Sequence, residues 1–352
     1  MAVMSDDTID KIPVAVIGAG RMGRHHARIY HQLPEAKLLA VVDPDEDRAG
    51  ALADQYGCDC LASVKELLEK YPQVRAVSLA TPTVHHAPVA QSLLEHRVAC
   101  LIEKPLAQSV AEARRIVELA DQYGTLVQVG HSERFNPIVR RLAELEIRPR
   151  FIEVDRVSPM TFRSIDVGVV FDIMIHDLDI VLMLSRSELV DVRAVGVAVL
   201  GKHEDVASAR LQFADGCVAN LTASRLALKT ERKLRLFSET AYVSLDYARK
   251  TGVITTRTAN AAALEEVRQQ IAAGADLSDL DYTQIVNRQE LEINDEEPLR
   301  GELSNFLAAV AGRARPEVDA RAGYAAVDAA QRVVEAIASH RWEGVDLLKP
   351  VM

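Results

Sequence analysis

The chain has 352 residues, 49% apolar and 26% charged, a mix that excludes disorder over its whole length and points to about two globular domains. Its formal charge of −10, from 41 Lys and Arg against 51 Asp and Glu, disfavours gripping nucleic-acid phosphates. There is no run of ~18 apolar residues to span a membrane, the four cysteines make no disulfide framework, and the opening MAVMSDDTIDK lacks the basic and apolar regions of a secretory signal, so a reducing, cytoplasmic setting is expected.

In chain order, short runs rich in Val, Ile and Leu at 14–17, 38–42, 76–80, 98–102 and 126–129 read as strands buried on both faces. Amphipathic stretches of helical length lie between them, among them 85–96 and 109–123. This alternation predicts a doubly wound parallel sheet of Rossmann type over residues 1–130. From 131 to 352 the rhythm changes to an α+β domain with a mostly antiparallel sheet. Strands are expected at 151–157, 192–200, 207–213, 218–224, 233–237 and 242–246, with Ala214-Asp215-Gly216 as a hairpin turn. Apolar helix is expected at 169–184, closing helices at 299–310 and 322–339, and a helix followed by a surface loop over 259–280.

Gly18-Ala19-Gly20-Arg21-Met22-Gly23 follows the first strand and opens a helix. In that context Gly18 permits the tight turn, Gly20 lets a pyrophosphate approach the backbone, and Gly23 allows close helix–strand packing. The helix N-terminus offers unpaired N–H groups to the phosphates. Asp43 ends the second strand, where a carboxylate accepts ribose hydroxyls and repels a 2′-phosphate, so NAD is favoured over NADP. Arg48 rescues NADP only by swinging over the ribose. Thr81 and Pro82 end the third strand and are expected to line the cofactor edge, with His86 close behind. His85 and His86 are adjacent, so they point different ways on a helix, and no metal site is read there.

Glu103-Lys104-Pro105 ends the fourth strand. Lys104 there can hold a reacting hydroxyl and steady negative charge on its oxygen. Glu103 is expected to pair with a cation or accept a cofactor hydroxyl. Arg134 and Asn136 suit substrate oxygens or a phosphate, and Arg163, in the loop before the apolar helix, a diphosphate. That helix carries Asp172, His176 and Asp179 at i, i+4 and i+7, one polar stripe on an otherwise apolar segment. Burying three ionisable groups without a partner would cost several kcal/mol. The stripe therefore reads as facing a cleft, with His176 as general base, Asp172 orienting it or holding a hydroxyl, and Asp179 supporting His176 or packing structurally.

The dinucleotide fingerprint, Thr81-Pro82 with His86, Glu103-Lys104-Pro105 and the Asp172–His176–Asp179 helix, in this order, resemble the Gfo/Idh/MocA oxidoreductases. The resemblance implies an open-faced sheet in the second domain, with closing helices that pack back on the first. It also implies homodimers or homotetramers through that sheet, catalysis by Lys104 and His176 with Asp172 assisting, and a sugar or sugar-nucleotide substrate. Only Gly168 remains of a glycine run found in many members, with Val169 and Val170 after it, which is expected to narrow or reshape the pocket. Within the family the chain looks most like UDP-N-acetylglucosamine 3-dehydrogenases. Those form a 3-ketone that a partner aminotransferase converts in the lipid A-type precursor pathway. The alternatives are an inositol or free-sugar dehydrogenase and, in another class, a catalytically silent NAD-binding regulator. The intact Lys104, Asp172 and His176 set speaks against the last.

Overall fold

The computed structural model describes residues 11–161, 166–257, 261–276, 286–293 and 295–341. The chain divides into two compact units, Met1–Arg140 with Asn294–Asp328, and Arg141–Ile293 with Ala329–Met352.

The first unit alternates β1 (Ile12–Ile17), α1 (Arg21–Gln32), β2 (Ala36–Val42), α2 (Glu46–Tyr56), β3 (Asp59–Leu61), α3 (Val64–Lys70), β4 (Ala76–Leu79), α4 (His86–Glu95), β5 (Ala99–Glu103), α5 (Val110–Tyr123) and β6 (Val127–Gly130). All strand pairs are parallel, in the order β3-β2-β1-β4-β5-β6. This is the doubly wound sheet implied by the apolar runs. The helices start where short polar side chains cap them: Asp45 accepts the Arg48 N–H, Ser63 that of Glu66 and Ser109 that of Glu112. Ser63–Glu66 and Ser109–Glu112 share the spacing of a capping box. Strand β3, only three residues long, escapes a reading by apolar runs.

Helix α6 (Pro137–Glu144) leads to the second unit, which has β7 (Phe151–Val157), a π-helical turn (Val170–Met174) continuing into α7 (Ile175–Ser185), β8 (Leu189–Val197), β9 (Val206–Phe213), β10 (Val218–Ser224), β11 (Glu231–Phe237), β12 (Ala241–Asp246), β13 (Thr251–Arg257), α8 (Ala261–Ala272) and β14 (Val286–Glu290). The sheet order is β14-β13-β12-β11-β7-β10-β9-β8, antiparallel except for β7 beside β10. One face is buried through Ile152, Val154, Leu221, Leu234, Leu236 and Val243, with α7 packed on β7. The alternate residues are half-buried or exposed. Gly216, at φ +86°, closes the expected β9–β10 hairpin, its N–H donating to the Phe213 carbonyl. Strands β13 and β14 were not anticipated, because Gly252 interrupts one and Val286 is the only apolar residue in the other. Helix α8 covers the first part of 259–280, and 277–280 lie outside the described residues.

The chain closes with α9 (Pro298–Val310) and α10 (Ala320–Ser339). Leu303, Phe306 and Leu307 of α9 join Val14, Val16, Leu101 and Tyr30 in the core of the first unit. Among the described residues, no helix is long and apolar enough to cross a membrane.

Candidate active site

Strands β1 and β4 lie side by side at the centre of the first sheet while their connections leave in opposite directions, which makes their carboxyl ends the switch point. Gly18 is there at φ +98°, and a Cβ on it would come 2.5 Å from the Ala80 carbonyl oxygen. A Cβ on Gly23 would come 1.7 Å from the Gly18 oxygen, so both glycines are required by close backbone packing. Gly20 differs: a Cβ there meets nothing within 4 Å. Gly20 also starts α1 without a side-chain cap, and the first turn of α1 has no acidic residue. Open room over uncapped N–H groups fits a dinucleotide pyrophosphate. Arg21 is exposed and Met22 half-buried on that turn.

Asp43 accepts the Ala19 N–H through Oδ2 (2.7 Å) and the Asp45 N–H through Oδ1 (3.0 Å), tying the carboxylate to the glycine turn. A carboxylate has about four acceptor sites, so ribose hydroxyls can still be received. Arg48 pairs with Asp45 at 2.9 Å. Thr81 borders the same edge, and its buried Oγ1 has no hydrogen-bond partner among the described residues. Pro82 is exposed.

His86 is only 1% exposed, and its Nδ1 and Nε2 lie 3.0 Å from the carbonyl oxygens of Pro105 and Thr81. It holds together the loops after β4 and β5. Burial pushes its pKa below the ordinary range, against the pull of the two carbonyls and of Glu103. Glu103 is likewise buried and accepts a hydrogen bond from His26 at 2.9 Å, so its partner is an internal imidazole. Burial opposes its ionisation, but the His26 hydrogen bond and the nearby His26, Lys104 and His86 charges together hold its carboxyl below the usual range. Gly130, paired with Glu103 across β5 and β6, leaves room for that carboxyl: a Cβ would come 3.1 Å from it. Lys104 is half-buried just past the end of β5. The alternation that places Ala99 and Leu101 in the α1-side core puts Glu103 on the same face, toward His26. That parity was the available signal for His26, which sequence reasoning missed.

Arg134 and Asn136 are both buried in the first unit. Asn136 Oδ1 accepts the Ile138 N–H (3.3 Å) at the start of α6.

In the second unit, Asp172 and His176 are half-buried on the helical segment, whereas Asp179 is 1% exposed. The stripe thus dips from accessible to core. The π-helical turn around Asp172 was not foreseen. Nor was Asp177, 2% exposed, which receives Arg156 in a two-point ion pair, Nε to Oδ2 at 2.7 Å and Nη2 to Oδ1 at 2.8 Å. Arg156 occupies the buried parity of β7 after Ile152 and Val154, a sequence signal that went unused. Val169 and Val170 are fully buried. Glu204 holds the segment start: its carbonyl accepts the Val169 N–H (2.9 Å) and its Oε1 the Val170 N–H (3.2 Å). Arg163 lies outside the described residues.

The sequence matches the oxidoreductase family with NAD-binding Rossmann fold over residues 12–131 and the GFO/IDH/MocA C-terminal domain over 151–244. It is 38% identical over 237 residues to a UDP-N-acetylglucosamine 3-dehydrogenase of Acidithiobacillus ferrooxidans, covering 67% of this chain and 74% of that one. A solved structure of a UDP-N-acetylglucosamine 3-dehydrogenase from Acidithiobacillus ferrooxidans superposes with a TM-score of 0.82 at 33% identity, covering 93% of this chain and 97% of the other. An inositol 2-dehydrogenase of Rubrobacter xylanophilus is 32% identical over 201 residues, 53% of this chain and 56% of its own.

Proposed function

The chain belongs to the Gfo/Idh/MocA oxidoreductase family, and on that premise we propose that it oxidises a secondary hydroxyl of a sugar nucleotide to a ketone, with the 3-hydroxyl of UDP-N-acetylglucosamine as the leading substrate. The observation that carries this reading is Lys104, half-buried past the end of β5 in the sheet that presents the dinucleotide fingerprint. The likeness to the Acidithiobacillus enzyme supports the choice of substrate. Gly18, Gly20 and Gly23, with the backbone of Arg21 and Met22, hold the pyrophosphate. Asp43 receives the ribose hydroxyls, and Thr81 and Pro82 border the cofactor. Bound NAD supplies the hydride acceptor. Asp43 and the engagement of Arg48 by Asp45 favour NAD over NADP.

Lys104 donates a hydrogen bond to the reacting hydroxyl oxygen and stabilises the negative charge that develops there. His176 takes the hydroxyl proton, and Asp172 orients it. The half-exposed face of the second sheet, where Phe151, Phe237 and Tyr242 touch in sequence, suits pairing with a second copy of the chain, readable as molar mass by light scattering. The free cysteines suit a reducing cytoplasm.

The test is a panel of UDP-sugars, inositols and free sugars with NAD and NADP, followed at the reduced-nicotinamide band, with and without an aminotransferase to consume the ketone. Lys104→Ala or His176→Ala should lower kcat by about 10²- to 10⁴-fold with NAD affinity nearly intact. Full turnover in either variant removes that residue from the chemistry. The likeness to the Rubrobacter enzyme favours an inositol as the second reading, and NAD reduction by inositols alone would select it. Tight NAD binding with no reduction by any polyol would favour a silent regulator.

A further inference from the structure

Two histidines with no part in the proposed chemistry are buried against the segment that carries Lys104. His26, on α1, is 0% exposed and its Nε2 meets Glu103 Oε1 at 2.9 Å. His86, opening α4, is 1% exposed and its Nδ1 meets the Pro105 carbonyl at 3.0 Å. The crossovers from β1 to β2 and from β4 to β5 run in opposite directions along the sheet, and right-handed connections then place α1 and α4 on opposite faces. The residue before Lys104 is thus gripped from one face and the residue after it from the other. His86 also joins Pro105 to Thr81, so the loops after β4 and β5 are set relative to each other.

An imidazole is an expensive thing to bury, and neither ring is needed to fill an apolar core. A lysine has four rotatable bonds, so a flexible root would leave its amine spread over many positions. We propose that His26 and His86 are positioning residues: they fix the backbone on both sides of Lys104 so that its amine is presented in one place to the reacting hydroxyl. The inference rests on the reading of Lys104 as the group that touches that hydroxyl. Misplacement of a reacting group by about 1 Å lowers rate by about 10²-fold without comparable loss of binding. The signature expected is therefore a fall in kcat, not a rise in KM.

The experiment compares His26→Leu, His26→Gln, His86→Ala and Glu103→Gln with the parent enzyme. NAD affinity is measured by calorimetry, kcat and KM with the best substrate of the panel, and the Lys104 amine by ¹³C-methylation NMR, its resonance identified with Lys104→Arg. His26→Leu and His86→Ala should lose about tenfold or more in kcat with KM within about twofold, and should shift or broaden the Lys104 resonance. His26→Gln, which keeps a donor toward Glu103, should recover much of the rate. Glu103→Gln, which weakens the same contact from the Glu103 side, should lower kcat with KM nearly unchanged. Should His26→Leu fail to fold, Glu103→Gln and His86→Ala carry the same comparison. Folded histidine variants with parental kcat and an unmoved Lys104 resonance overturn the proposal. If Lys104→Ala itself keeps full turnover, the reading of Lys104 has failed instead, while the NMR comparison still reports on the clamp.

Discussion

The turn after β5 and the first turn of α7 each carry a candidate reactive group, yet they are held by different means. Lys104 sits in a unit where glycines let backbones touch and two buried imidazoles bind neighbouring residues. His176 sits in a unit where charged pairs inside the protein do the holding: Arg156 with Asp177 beneath the helix, and Arg225 with Asp205 at 2.7 Å, with Arg225 also donating to the Val167 carbonyl. Close backbone packing tolerates no added atom, whereas a buried ion pair tolerates no missing one. The two regions should therefore fail under opposite kinds of substitution.

The largest effect should come from removing a partner. Asp177→Ala removes the two-point carboxylate partner of buried Arg156 and should lower stability by about 3–5 kcal/mol in denaturant melts. Asp172→Ala, on the same helical segment but half-buried, should change stability far less while lowering turnover. Next comes an added atom: Gly23→Ala forces a Cβ against the Gly18 oxygen and should destabilise by about 1–3 kcal/mol, with weaker NAD binding by calorimetry. Equal tolerance of both changes would erase the contrast.

A pH series sharpens the comparison further. The folded-state pKa of His86 lies below its ordinary value of 6.5, so its stabilising contribution is complete above 6.5 and lost as pH falls through the folded value. Glu103 behaves alike below its ordinary 4.5. Melting temperature should decline in two acid stages, and His86→Gln should flatten the one just below pH 6.5. The smallest effect is a gain. Gly50, inside α2, would meet nothing with a Cβ, so Gly50→Ala should raise stability by about 0.5–1 kcal/mol.

The first unit was legible because its strands are continuous apolar runs and its glycines follow a fixed spacing. Asp43, Thr81 and Lys104 fall just past strand ends, where an apolar run stops. What the sequence hid were pairings between distant positions: His26 with Glu103 is 77 residues apart, and Arg156 with Asp177 is 21. Spacing on one element cannot reveal these, although a charged residue at a buried parity hints at each. The π-helical turn was hidden for another reason: hydrophobic periodicity cannot tell one residue of slack inside an otherwise regular coil.

Gly168 carries a consequence for how such a sequence can drift. A methyl group there would lie 2.0 Å from Glu204 Oε1, and Glu204 already spends that oxygen on the Val170 N–H. Position 168 therefore admits Ala only if the Glu204 carboxylate swings away and gives up that N–H, and a shorter residue at 204 opens it. The two sites form an epistatic couple, in which Gly168→Ala is harmful alone and milder in a Glu204→Ala background.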